Sequence, residues 1–168
     1  MKKYLLPNEL MIGDALLYDK NSEISSTIDV ITKSRVGHAS MVTEINPVFV
    51  HEAQPEGYIK TELFKSCKDC YHIYVKRPRF EFNAQKLQVW CRIKEGTPYD
   101  FKGTVIQQFL KNVFGKKINH SDALKLYCSE ADLRAWNESS NMNFNPEQSP
   151  GDILYNFVDF ETFELKLK

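Results

Sequence analysis

In this chain a histidine comes first and a cysteine follows far downstream, and each stands where a different kind of element begins. His38 opens the apolar run Gly37-His38-Ala39-Ser40-Met41-Val42, which has the composition of a strand. Cys128 stands in Leu126-Tyr127-Cys128-Ser129-Glu130, where a helix starts. A thiol at a helix N-terminus and a distant histidine beside a strand are the minimal equipment of a cysteine hydrolase. Their order, base before nucleophile, narrows both the fold and the chemistry.

The chain is long enough to bury one core around such a pair. Its 168 residues, 42% hydrophobic and 26% charged, fit a single domain spanning 1–168. Lysine plus arginine and aspartate plus glutamate both total 22, so nothing points to nucleic acid or an anionic membrane as partner. No apolar run approaches the ~18 residues of a membrane-spanning helix, so no integral membrane segment is expected. Lys2 and Lys3 begin like an export signal, but Pro7 and Asn8 break the apolar stretch that follows. The expectation is a cytoplasmic protein whose four cysteines, Cys67, Cys70, Cys91 and Cys128, are reduced. Cys67 and Cys70 form a lone CxxC, and no metal or redox centre is expected from it. Cys91 falls inside a helix pattern, as a core thiol does.

Strand patterns follow the Gly13-Asp14 turn, cover residues 38–53 as a hairpin turned at Asn46-Pro47, and recur over 58–64 and 71–75. A helix carrying Ile24, Ile28 and Ile31 starts at Asn21 or Ser22. Asn83 caps a helix with Leu87, Trp90 and Cys91, closed by Gly96. A further helix is expected over 99–114, with Val105, Phe109, Val113 and Phe114 buried, and another from Cys128 to about Trp136. Residues 137–149 read as loop, Pro150-Gly151-Asp152 echoes the Gly13-Asp14 turn, and a last strand lies within 162–167. Strands flanked by segregated helices give an α+β fold, with a small antiparallel sheet packed against helices.

The dipole and free N–H groups of a helix N-terminus favour a thiolate. The same N–H groups, that of Cys128 among them, are suited to hold an oxyanion. A buried structural cysteine is the plainer alternative, and the polar flanks Tyr127, Ser129 and Glu130 stand against it. His38 would take the thiol proton and return it to the leaving group. A third group usually orients such an imidazole, and two neighbours qualify, His51 and Glu52. Side chains alternate along a strand, so only one of them shares the face of His38. Glu52 is preferred, because a carboxylate only accepts and so fixes the tautomer; His51 is the fallback. Tyr99, Ser129 and His51 are the candidates for substrate or oxyanion contact. His72 and His120 read as surface residues.

Five segments occur in order: Gly13-Asp14-Ala15-Leu16-Leu17, Gly37-His38-Ala39-Ser40-Met41-Val42, His51-Glu52-Ala53, Gly96-Thr97-Pro98-Tyr99-Asp100 and Tyr127-Cys128-Ser129-Glu130. The series resembles the circularly permuted NlpC-type papain-like amidases, specifically the YaeF/YiiX-like branch, over residues 12 to about 155. The resemblance implies a small antiparallel sheet packed on the helix that carries the nucleophile. It implies Cys128 as nucleophile, His38 as base and Glu52 as third member, and it matches Tyr99 to the tyrosine ahead of the nucleophile. Ala131 departs from the pattern, which has a larger apolar residue there. Relatives that work on the cell envelope carry export signals, and this N-terminus shows none. The implied reaction is cleavage of an amide through a cysteine thioester, without metal or organic cofactor, on a small peptide, amino-acid-containing or acyl substrate. Two other readings stay open: acyl transfer, as in a more distant permuted branch that moves acyl groups between lipids, and a non-catalytic binding module on the same fold.

Overall fold

The computed structural model describes residues 3–20, 35–99 and 126–167. Its strands are β1 (Tyr4–Leu5), β2 (Ala15–Lys20), β3 (His38–Glu44), β4 (Phe49–Gln54), β5 (Gly57–Glu62), β6 (Cys70–Pro78) and β7 (Phe160–Leu165). They form one sheet in the order β1-β7-β6-β2-β3-β4-β5. The helices among the described residues are α1 (Leu63–Ser66), α2 (Ala84–Lys94), α3 (Cys128–Ser139) and α4 (Pro150–Asn156). The class is α+β, as the pattern of elements predicts. The sheet is larger than the small antiparallel one expected, and it is mixed, because β1 runs parallel to β7. The expected helix around Ile24, Ile28 and Ile31, the helix beyond Tyr99, and His120 lie outside the described residues.

The unbroken apolar run of β2 follows from burial on both faces of the sheet. Ala15 and Leu17 pack with Ala39, Met41, Leu87, Leu133 and Trp136 on the side covered by helices. Leu16 and Tyr18 join Val42, Val50, Leu63 and Val75 on the other side. Asn83 starts α2 by accepting the Lys86 N–H at 2.9 Å. Gly96 follows its end with φ of 81°, a conformation that suits glycine.

The Pro150 segment is a helix and not a second turn like that at Gly13-Asp14. The signal lies in Ser149-Pro150-Gly151-Asp152. Ser149 Oγ accepts the Asp152 N–H at 3.2 Å, Asp152 Oδ2 accepts the Ser149 N–H at 2.9 Å, and proline opens the first turn. The Gly13-Asp14 step joins sheet to helix. Gly13 has φ of 89°, and a Cβ there would stand 2.3 Å from the Phe82 ring. Its carbonyl accepts the Trp136 indole N–H at 3.1 Å. Asp14 is buried and takes the Arg77 guanidinium through two bonds of 2.9 and 2.7 Å, which ties the start of β2 to β6.

Candidate active site

Cys128 is the first residue of α3, and its fractional exposure is 2%. Nine of the twelve residues of α3 are buried, so the polar groups at its start need partners within the protein. Glu130 Oε2 accepts the Tyr127 N–H at 3.5 Å, and Glu130 Oε1 takes Arg134 at 2.8 Å. Ser129 Oγ donates to the Gln148 carbonyl and Tyr127 Oη to the Pro146 carbonyl, each at 2.7 Å. The segment leading into α4 therefore clasps the N-terminus of α3, where the first N–H groups of a helix have no intrahelical acceptor.

His38 is the first residue of β3, and its side chain is 12% exposed. Ser40 pairs with Glu52 across the β3–β4 ladder, and Met41 pairs with His51. Cross-strand partners point to the same face, as do residues two apart. Glu52 thus lies on the face of His38 and Ser40, and His51 on the opposite one. His38 Nε2 is 2.7 Å from Glu52 Oε2. The Cys128 side chain acts electrostatically on the imidazole, which stacks on Tyr18 with ring centroids 5.4 Å apart. Burial pulls the His38 pKa down, but the hydrogen bonds and charges of Cys128 and Glu52 outweigh it, so it rises from 6.5 to about 9.

Behind Glu52 runs a buried chain of hydroxyls that sequence reasoning missed. Ser66 Oγ lies 3.0 Å from Glu52 Oε2 and 3.0 Å from Tyr18 Oη, and Tyr18 Oη also meets Ser40 Oγ. A carboxylate only accepts and a hydroxyl has one proton, so Ser66 donates to Glu52 and Tyr18 donates to Ser66. Burial, then the charges of Cys67 and Glu52, hold the Tyr18 phenol protonated for that role. Ser66 sits on the short helix α1, far along the chain from either strand, and no local motif marks it.

The other site candidates are distributed as follows. His51 is buried, with Nδ1 2.7 Å from Thr43 Oγ1 and Nε2 2.8 Å from Glu95 Oε1, away from His38. The Ser129 hydroxyl is engaged by Gln148, which leaves its backbone N–H. Tyr99 bridges Leu126, two residues ahead of Cys128, and packs on the core beneath the helices. Among the described residues Cys67, Cys70 and Cys91 form no disulfide, and His72 pairs with Glu164 at 3.3 Å.

No family model and no curated protein matches the sequence. Among solved structures the chain is similar to the metalloprotein yiiX from Escherichia coli O157:H7, with a TM-score of 0.58 and 19% identity over 94% of this chain and 98% of that one. Among the described residues no helix is long and apolar enough to cross a membrane. The likeness spans nearly the whole of both chains, and this chain has a yiiX-like fold.

Proposed function

We propose that this chain is a thiol-dependent hydrolase with a circularly permuted papain-like, NlpC-type site, acting at the carbonyl of a small peptide, amino-acid-containing or acyl substrate. Cys128 is the nucleophile, His38 the acid–base group and Glu52 the group that orients it. One observation carries this reading: a single imidazole is bonded to a buried carboxylate and coupled electrostatically to a thiol at a helix N-terminus. With its pKa raised to about 9, His38 is an imidazolium at neutral pH and sets a cation beside the sulfur. Glu52 holds Nε2, so Nδ1 is the nitrogen left for the thiol.

In this mechanism the thiolate forms an S–C bond, and the carbonyl electron pair moves onto oxygen. The free N–H groups at the start of α3, including those of Cys128 and Ser129, face that oxyanion. Collapse breaks the C–N bond, and the leaving amine takes the proton of His38. Neutral His38 then deprotonates a water that attacks the thioester, the acid leaves, and the thiolate–imidazolium pair is restored. Tyr99 remains the candidate to donate to a substrate oxygen.

The yiiX neighbour is called a metalloprotein. Among the described residues here, no three of His, Cys, Asp and Glu are gathered to hold a metal ion. The steps above run through side chains alone. Cys128→Ala should keep the melting temperature and lose turnover of any amide substrate. The wild-type protein should yield an acylated Cys128 by mass spectrometry when quenched during turnover. Equal turnover by the alanine variant would sink the assignment.

A further inference from the structure

One buried carboxyl in the centre of the molecule has no part in the mechanism above. Asp132 is 0% exposed, and neither of its oxygens has a hydrogen-bond partner among the described residues. It lies four residues after Cys128 on α3, and side chains four apart stack on one helix face. We propose that Asp132 is a positioning residue of the Cys128 site: a carboxylic acid kept neutral one helical turn behind the sulfur, whose ionisation is coupled to the charge on that sulfur.

The groups that act on it come from its own helix and from four other elements. They are Cys128 on its own helix, His38 on β3, Glu52 on β4, Tyr58 on β5 and Cys91 on α2. Tyr58 and Cys91 stay neutral, since burial raises both, Cys91 to about 12. His38 is the single cation of the set, and Glu52 already holds it at 2.7 Å. A carboxylate at Asp132 would be buried with no hydrogen bond, facing a thiolate and a second carboxylate. Burial, then the Cys128 charge, push the Asp132 carboxyl well above the usual carboxylate range, and His38 opposes them less. A buried polar group without a partner is a local liability, and such liabilities gather at functional sites.

The coupling rests on the proposed thiolate at Cys128. While the sulfur is charged, Asp132 keeps its proton. When an S–C bond forms the sulfur becomes neutral, the repulsion disappears, and Asp132 ionises at lower pH. By reciprocity, each ionisation disfavours the other.

Infrared spectra of protein carrying 13C-carboxyl aspartate test this directly. One protonated-acid carbonyl band should be present at pH 7 and absent in Asp132→Asn, with Asp132→Ser assigning it where the asparagine variant does not fold. Iodoacetamide then alkylates Cys128, forming S–C and releasing iodide. After it the band should titrate about one pH unit lower or more. No protonated band at pH 7, or a titration that alkylation leaves unmoved, would overturn the proposal. The pH profile of alkylation, followed at Cys128 by mass spectrometry, separates the two readings. An ordinary cysteine profile sinks the hydrolase and takes the coupling with it. A reactive thiol beside an unmoved Asp132 sinks the coupling alone.

Discussion

Two histidine–carboxylate pairs lie on opposite faces of the same hairpin, and their bonds are nearly equal: 2.7 Å for His38–Glu52 and 2.8 Å for His51–Glu95. Their electrostatics are opposite. His38 is raised to about 9. His51 is lowered, because burial dominates the pull of Glu95 and the nearby Lys60 adds to it. The difference lies in the company each ring keeps. Glu52 is 1% exposed and the Cys128 side chain also favours the charged ring, whereas Glu95 is 45% exposed and the other partner of His51 is a neutral threonine hydroxyl. Bond length alone does not separate an imidazole whose charged form is favoured from one whose neutral form is favoured.

The contrast is broken most sharply by removing each ring. His38→Ala should slow iodoacetamide alkylation of Cys128 at pH 6.5 about 100-fold, toward the thiolate fraction of an ordinary cysteine. His51→Ala should change that rate by less than about twofold, while lowering the melting temperature. Removing the acids comes next. Glu52→Gln removes the buried carboxylate bonded to the His38 imidazolium and should cost about 3–5 kcal/mol in urea unfolding. Glu95→Gln, at a half-exposed acid, should cost at most about 1 kcal/mol.

The two rings also predict opposite dependences on pH. The folded pKa of His38 is raised, so its stabilisation is fully present below pH 6.5 and is lost as pH rises through about 9. His51 is depressed, so its share is present above its unfolded value of about 6.5 and lost as pH falls. Unfolding of the wild type against His38→Gln and His51→Gln from pH 5 to 10 should give difference curves of opposite slope. The smallest effect belongs to the hydroxyl chain. Ser66→Ala should cost about 1 kcal/mol and move the His38 titration, read by NMR, while Thr43→Ala leaves that titration in place. An unmoved His38 in Ser66→Ala would separate the chain from the site.

The parts of the site visible in the sequence are those set by local periodicity. Alternation along β4 allows only one of His51 and Glu52 to face His38, and the Ser40–Glu52 register puts Glu52 there. The helix start at Cys128 is marked by its flanks. Ser66, Tyr18 and Asp132 were not legible as site residues. Ser66 and Tyr18 meet Glu52 only through pairings of distant segments, and Asp132 looks like one more polar residue of a helix until its burial is known. The fold divides the same way. The β3–β4 hairpin and α2 follow from turn and cap residues, whereas the pairing of β1 with β7 joins the two ends of the chain and leaves no local trace. The α4 helix was written in Ser149-Pro150 and Asp152, but the likeness to Gly13-Asp14 masked it.

The indole bond from Trp136 to Gly13 gives α3 a far anchor. Trp136 stands eight positions after Cys128 on α3, about 12 Å of nearly rigid rod, and both ends are fastened to different loops. A disturbance at one end is thus delivered as a displacement at the other. A side chain at Gly13 would collide with the Phe82 ring and strain a backbone held at positive φ, and a shift of the Gly13 carbonyl would pull on the indole at the end of the rod. A random screen for lost thiol reactivity should therefore return Gly13 and Phe82, residues that approach no reacting atom, alongside the residues that do.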